Sequence, residues 1–195
     1  LSNSTHAKGE HSKGSLIHDN ATEILLIGNL YAHNKRRNPY CKGGTQVLIL
    51  NNYVYNPGTA AIHYKLVKSE WRRKDPVTGI IVAAGNSISY GKDSGKNMAA
   101  GSFQSPVEVF WKDNLITSEI PVNEIEGEYS SLDRAPFWPE GLGIKAATEV
   151  KASVLENAGA FPWERDAIDT RIISDIRSGK GKIIDSENEM GGYPA

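Results

Sequence analysis

The residues best suited to chemistry form a cluster of positive charge between two apolar stretches of the chain. The cluster comprises four cations and one proline: Lys35, Arg36, Arg37, Pro39 and Lys42. Cations this close together can hold the carboxylate of an acidic ligand, or stabilise negative charge that develops on the ligand during a reaction. The structural alternative is a surface loop whose charges are solvated.

Two further features could help to bind an acidic ligand. Lys13 lies in the block HSKGSLIHD, between His11 and a short apolar pair that is typical of a strand. His11 could contact the ligand beside Lys13, although a histidine in a polar loop is more often solvated. Trp71 lies in a charged insertion at residues 65–78. Its indole could stack on a sugar ring or instead pack the insertion onto the rest of the protein.

The bulk composition excludes several classes of function. The 22 basic and 23 acidic residues nearly cancel, which argues against nucleic acid or a membrane surface as a partner. No apolar run approaches the roughly 20 residues needed to cross a bilayer. The 5 histidines show no metal-ligand spacing, and no Ser-His-Asp or Cys-His set is legible. The sequence therefore predicts no metal-binding residues within this chain.

The basic cluster lies within a repeating pattern that predicts the fold. Four apolar runs end in a two-residue pair whose second member is an asparagine: Asn29, Asn52, Asn86 and Asn114. Their separations of 23, 34 and 28 residues are typical of a solenoid with insertions. The runs are short and rich in β-branched and aromatic residues, which predicts one strand each. The expected fold is an all-β solenoid, a right-handed parallel β-helix, with the asparagines stacked at equivalent bends.

The alternation of side chains along a strand predicts which residues face inward. The fifth and third residues before each repeated asparagine are apolar, whereas the second residue before Asn114 is Lys112, which should not be buried. The predicted inward set is Ile24, Leu26, Val47, Ile49, Ile81, Ala83, Val109 and Trp111. The outward apolar positions that then need a cover are Leu25, Leu48, Val82 and Phe110.

Composition divides the chain into three segments. Residues 1–119 contain the repeats and the basic cluster. Residues 120–145 are first acidic and then rich in proline and glycine, which predicts a linker. Residues 146–195 contain apolar residues at helical spacing and are expected to wrap back along the β-helix as helices and a tail.

Two helices are predicted in the last segment. The first begins at Thr148 and stops at Gly159, and the second begins at Pro162 and stops at Gly179. We expect both to pack on the exterior of the β-helix, over the outward apolar positions.

The basic cluster and its surroundings resemble the pectate lyases of the parallel β-helix class. In that family a lysine in an H-x-K-like block precedes a strand, and an R-x-P-x-x-R/K block precedes an apolar run that ends in V-x-N-N. The corresponding blocks here are HSKGSLIHD and RRNPYCKGGTQVLILNN. The C-terminal stretch VLENAGAFPWERDAIDTRIISDIRSGKGKIIDSENEMGGYP also resembles the tail of bacterial members. The resemblance implies cleavage of an acidic, uronate-containing polysaccharide such as pectate by β-elimination.

The resemblance also implies roles for individual residues. Arg37 matches the arginine that abstracts the proton, Lys42 matches the cation that holds a substrate carboxylate, and Lys13 matches the lysine that binds the uronate at the cleaved bond. Arg36 leaves a one-residue ambiguity in the base and is itself a candidate substrate-binding residue. The rigid backbone at Pro39 favours Arg37 as the base. Lysine at position 42 stands where arginine is common, which keeps the charge but loses the bidentate fork.

The resemblance further implies calcium as a cofactor and a secreted or periplasmic location. The calcium-binding acidic residues of the family lie upstream of the lysine block. The chain therefore resembles the C-terminal half of a lyase, and the N-terminal part of the same β-helix is an expected partner. Arginine is an unusual base because its side chain ordinarily stays protonated. Neighbouring cations favour the neutral guanidine that the reaction needs.

Two other functions stay open on the residues alone. A glycoside hydrolase on the same scaffold would need two or three carboxylates on one face of the coils, and the acids of the repeats are scattered: Glu23, Glu108 and Asp113. A non-catalytic β-helix could bind polysaccharide through Trp71 and the basic residues.

Overall fold

A computed structural model of the chain describes residues 12–71, 75–96, 98–190 and 192. His11 lies outside the described residues. The first six strands are β1 (Leu16–Ile17), β2 (Ile24–Ile27), β3 (Leu30–Ala32), β4 (Tyr40–Lys42), β5 (Gln46–Leu50) and β6 (Tyr53–Tyr55). They are followed by β7 (Ile62–Lys65), β8 (Gly79–Ala84), β9 (Ser87–Ser89), β10 (Met98–Lys112), β11 (Leu115–Thr117) and β12 (Val122–Ser131). The helices are α1 (Ala147–Asn157) and α2 (Ala167–Arg177), with short 3-10 helices at Lys68–Glu70 and Glu187–Met190.

The strands form two parallel sheets. The larger sheet has the order β1-β4-β7-β10-β8-β5-β2, with β12 also paired to β10, and the smaller sheet has the order β11-β9-β6-β3. Most strands pair with the strand three places further along the chain, as in β1–β4, β2–β5 and β3–β6. The long strand β10 pairs with β7 through its first half and with β8 through its second. The prediction of a mostly parallel β architecture is thus confirmed.

The four repeated asparagines form a hydrogen-bonded ladder across neighbouring repeats, as predicted. The Nδ2 of Asn29 donates to Oδ1 of Asn52 at 2.9 Å, that of Asn52 to Asn86 at 3.1 Å, and that of Asn86 to Asn114 at 2.8 Å. The backbone N–H of each donating asparagine bonds to the same acceptor oxygen. Each of these oxygens therefore closes two bonds, which fixes the stacking of one bend on the next.

The predicted inward set is also confirmed. One apolar cluster contains the buried residues Val47, Ile49, Ile81, Ala83 and Val109, with Ile24, Leu26 and Trp111 packed against it. The alternation of side chains places them on the concave side of the larger sheet, where β-branched residues fit the pleated surface.

The prediction that the C-terminal helices cover the outward apolar face was wrong. Leu48, Leu50, Val82 and Ala84 are covered by residues of the segment 120–145: Ala135, Phe137 and Leu142. The prolines of this segment keep it extended, so it can lie along a flat sheet face. Asn51 fastens its end, since its side chain accepts the Lys145 N–H at 2.7 Å and donates to the Lys145 carbonyl at 3.0 Å.

The same segment contains a strand that its composition did not indicate. Strand β12 (Val122–Ser131) pairs in parallel with β10, with Ile125 opposite Gly101. The glutamates of this stretch predicted a linker. However, an edge strand exposes one face to water and tolerates charged side chains there. The segment is therefore partly strand and partly cover.

The helices pack on the smaller sheet. Val150, Val154 and Leu155 of α1 and the buried isoleucines of α2 cluster around Tyr53 of β6. Helix α2 begins at Ala167 and not at Pro162, because the Asp166 carboxylate caps it by accepting the Asp169 N–H at 2.8 Å. Within the described residues, no helix is long and apolar enough to cross a membrane.

Ile183 of the C-terminal tail contacts a loop that follows β9. The N–H of Ile183 donates to Asp93 Oδ2 at 2.6 Å, and the same oxygen accepts the Asn56 amide at 2.8 Å. The tail is thereby fastened to two loops on the exterior of the sheets.

Candidate functional site

Lys13 and Arg36 lie side by side on neighbouring segments of the larger sheet. They form an isolated parallel bridge. The Gly14 N–H donates to the Arg36 carbonyl at 3.0 Å, and the Arg36 N–H donates to the Ser12 carbonyl at 3.3 Å. Paired residues of neighbouring strands point to the same face, so both cations emerge on one side. Arg36 is exposed and Lys13 is partly buried.

Arg37 follows in a left-handed backbone conformation and is partly buried. Its φ is +67°, a region that costs a non-glycine residue energy and is found disproportionately at functional sites. Gly14 makes this turn possible, because a Cβ at position 14 would lie 2.3 Å from the Arg37 carbonyl oxygen. The strand that carries Lys13 can therefore approach Arg37 closely only with glycine at this position.

Tyr40 and His63 form an aromatic pair beside the two arginines. Tyr40 is paired with His63 across β4 and β7, and their ring centroids are 4.9 Å apart. The adjacent residues Cys41 and Tyr64 lie in the core, so Tyr40 and His63 face outward. Aromatic rings on an outer sheet face offer apolar surface to the face of a sugar.

The arginines act electrostatically on this pair. Burial lowers the pKa of His63, and the positive charges of Arg36 and Lys65 lower it further. Burial raises the pKa of Tyr40, and the charge of Arg37 opposes that rise. At neutral pH both rings are therefore uncharged beside a group of cations.

Lys42 is a buried lysine at the end of β4 and belongs to an ionic network. It is only 5% exposed. Its ammonium is 3.1 Å from Asp19 Oδ2 and also pairs with the Glu70 carboxylate. The predicted role of Lys42 as a ligand for the substrate carboxylate is not supported by this placement, because two protein carboxylates already surround the ammonium.

Trp71 belongs to the same network. Its indole N–H donates to Asp19 Oδ1 at 2.7 Å, and the residue is only 6% exposed. Partial burial raises the pKa of Asp19, but the bond from Trp71 and the charge of Lys42 outweigh it and hold the pKa below its ordinary value. A buried indole cannot stack on an external sugar. Of the two alternatives for Trp71, the packing of its insertion fits the structure.

A group of potential metal-ligating side chains lies close together in the described part of the chain, but it does not fit a calcium ion. His18, Asp19 and Glu70 bring a ligand atom each within 4.8 Å of one another. However, the Lys42 ammonium pairs with both carboxylates, and Nδ1 of His18 accepts the Asp19 N–H at 3.0 Å. Calcium takes six to eight oxygen ligands. This cluster offers few oxygens and already holds a cation.

The structure thus pairs Lys13 with Arg36, next to Arg37 in the chain, whereas Lys42 and Trp71 are both bonded to Asp19. Sequence reasoning missed Tyr40 and His63. The available signal was the alternation along β4 and β7, which puts both residues on the outer face. Asp19 and Glu70 carried no such signal, since each lies in a loop outside the repeat.

Comparison with known proteins gives similarity to fungal pectate lyases. No family model matches the chain. A protein named "Probable pectate lyase C" from Neosartorya fischeri is 30% identical over 202 residues, which is 98% of this chain and 46% of that protein. Proteins of the same name from Aspergillus flavus and Emericella nidulans are 29% identical over 204 residues and 26% identical over 190 residues. They cover 98% and 93% of the chain, and 46% and 42% of the two relatives. The chain spans about half the length of the curated relatives it matches.

Acidification should destabilise the protein through His63. Its folded pKa lies below the unfolded value of about 6.5, so the unfolded state binds the proton more readily. Stability contributed by neutral His63 is present above that pH and is lost as the pH falls through the folded pKa. Thermal unfolding between pH 7 and about 5 should show a falling Tm. The fall should be smaller in His63→Gln.

His18→Gln is the matched control, because the side chain of His18 is 70% exposed. Burial also lowers the pKa of His33, so part of the acid sensitivity should persist in the His63 variant. A wild-type Tm that is flat across this range would contradict the expectation. So would an equal fall in the two variants.

Proposed function

We propose that the chain is the part of a polysaccharide lyase of the pectate lyase family that carries the base. Its substrate would be an acidic polysaccharide such as polygalacturonate, cleaved by β-elimination. The observation that carries the proposal is the bridge between Lys13 and Arg36, with Arg37 next in the chain and both arginines acting on the Tyr40–His63 pair. Relatives named as pectate lyases cover nearly the whole chain. A cationic site suits this reaction, because its transition state places extra negative charge on a uronate.

We propose the fold to be a right-handed parallel β-helix. Three strands complete one turn in this arrangement, and each pairs with its counterpart in the next turn. The asparagine ladder between Asn29 and Asn114 supports this, because it places equivalent bends directly above one another. Crossovers between parallel strands are right-handed in nearly all proteins, which favours the hand.

In the proposed mechanism Arg37 removes the proton from C5 of the uronate. The C5–H electron pair forms the C4–C5 double bond, the C4–O bond breaks, and the glycosidic oxygen leaves and takes a proton from solvent. Lys13 holds the uronate carboxylate and stabilises the developing charge. Arg37 is partly buried, and the exposed Arg36 precedes it in the chain.

The edge formed by β1, β2 and β3 is the proposed junction with the remaining coils of the lyase. Among the described residues these strands each have one strand partner. The Asn52 Nδ2 donates to Leu26 of the preceding repeat at 2.9 Å, whereas the Asn29 Nδ2 turns to Ile27 of its own strand at 3.3 Å. A further parallel coil would supply the missing acceptor. We place the calcium ligands of the enzyme on such coils, and the enzyme in a secreted or periplasmic location.

The pairing of Asp19 and Glu70 favours elimination over hydrolysis. A glycosidase needs a pair of carboxyl groups that face the bond to be cleaved. Asp19 and Glu70 are instead both paired with Lys42. These two carboxylates are thus not placed as the acid and base of a glycosidase.

Product analysis tests the proposal. The full-length protein is incubated with polygalacturonate in water enriched in a heavy oxygen isotope, and the fragments are analysed by mass spectrometry. Elimination should give unsaturated fragments without the heavy isotope at the cleaved bond. Saturated fragments with one labelled oxygen for each bond cleaved would contradict the proposal and favour a hydrolase.

A further inference from the structure

We propose that Lys42 is a positioning residue that does not contact substrate, and that Arg36 supplies the second cation for the uronate carboxylate. The inference rests on the proposed lyase function. It departs from the role that the R-x-P-x-x-R/K pattern assigns to position 42. Three features of the structure support it: the charge of the Lys42 network, the parts of the fold that this network joins, and the placement of Arg36.

The Lys42 network has no positive charge to offer a substrate. One ammonium faces the carboxylates of Asp19 and Glu70, which leaves a net charge of −1. An incoming uronate carboxylate would have to displace a protein carboxylate from a lysine that is 5% exposed. The exposed Lys65, opposite Lys42 on β7, does not open a path to the buried ammonium.

The network instead joins three parts of the fold. Asp19 follows β1, Lys42 ends β4, and Glu70 belongs to the insertion between β7 and β8. Trp71 stabilises this contact between the three parts by its bond to Asp19. It also packs closely on Gly43, since a Cβ added at position 43 would lie 2.9 Å from the indole nitrogen. Lys42 thereby fixes the end of the strand that begins with Tyr40, beside Arg37.

Arg36, unlike Lys42, lies at the surface, where it can contact a substrate. It is exposed and bridges to Lys13 across neighbouring segments. Its charge reaches His63 on the same outer face, where it lowers the pKa of that ring. Two cations that emerge side by side can grip one carboxylate, and arginine does so through two parallel N–H bonds.

A charge-neutral replacement of the network separates positioning from substrate contact. In the full-length protein, Lys42→Met alone should lower both Tm and activity, because it leaves Asp19 and Glu70 facing each other. The triple variant Lys42→Met, Asp19→Asn, Glu70→Gln removes the charges together. We expect its Tm to recover and its kcat/KM on polygalacturonate to stay within about threefold of wild type. Arg36→Gln should raise KM at least tenfold while kcat changes less.

Lys68→Gln is the matched control, since it removes an exposed lysine from the same insertion. A triple variant with wild-type Tm and a kcat/KM more than about tenfold lower would overturn the positioning role. An unchanged KM in Arg36→Gln would overturn the role of Arg36.

If the triple variant does not fold, Glu70→Gln still tests whether Lys42 contacts substrate. The Glu70 side chain is 44% exposed, so this single replacement should be tolerated by the fold. If Lys42 bound substrate, removing its partner would lower KM about tenfold or more, whereas we expect a change of less than about threefold. A wild-type protein without lyase activity would refute the proposed function instead. The Tm series would then still show whether Lys42 organises this network.

Discussion

Replacing Arg37 with lysine should lower kcat on polygalacturonate by roughly 100- to 10,000-fold in the full-length protein, with little change in KM. Lysine keeps the positive charge, so long-range attraction of an acidic polymer is preserved. It does not reproduce the planar guanidine or its reach from a backbone held at φ +67°. The loss should therefore fall on proton transfer and not on binding. Initial rates over a range of polymer concentrations separate the two constants.

Arg36→Lys is the control for this experiment. It makes the same exchange one residue earlier, at a position that the structure places in the bridge with Lys13. We expect a modest rise in KM and a nearly normal kcat. Near-normal turnover of Arg37→Lys would end the assignment of Arg37 as the base. Loss of turnover in Arg36→Lys instead would move the base by one residue.

Replacing Asn52 with alanine should cost roughly 2–4 kcal/mol of unfolding free energy. Asn52 is 1% exposed, and its side chain makes four hydrogen bonds. Alanine removes the acceptor of the Asn29 backbone N–H and the donor to the Leu26 carbonyl. The Leu26 carbonyl is partly buried, and leaving it unpaired costs about 1–3 kcal/mol, whereas Asn29 is exposed and water can replace part of the bond to its N–H. Denaturant unfolding measures the difference.

Asn157→Ala is the matched control for the ladder. Asn157 is exposed, and its amide bonds to the Ser153 carbonyl within one helix at 2.8 Å. We expect a loss of no more than about 1 kcal/mol, as for an exposed side-chain bond. Equal losses at the two positions would show that the ladder does not hold the bends together.

The ladder and the inward face were predictable because both follow from a local repeat. Asn29, Asn52, Asn86 and Asn114 recur after apolar runs, and alternation along a strand then assigns each side chain to a face. Nothing non-local is needed for either inference. The parallel pairing of the strands follows from the same repeat.

The covers and the Lys42 network were not predictable in the same way. Phe137 and Ile173 are both apolar residues after the repeats, and only tertiary packing decides which sheet face each of them covers. Likewise, Lys42 occupies its motif position, but its environment is set by Asp19 and Glu70 from loops outside the repeat. A motif gives the type of side chain at a position and not the partners that neutralise it.

The most direct test of lyase function is the ultraviolet absorbance of polygalacturonate during incubation with the full-length protein. Elimination creates a C4–C5 double bond conjugated with the uronate carboxylate, which absorbs where the saturated polymer does not. We predict a steady rise in absorbance with the wild-type protein, and a rise roughly 100-fold slower or more with Arg37→Lys. New reducing ends that form without any rise in absorbance would contradict the proposed elimination.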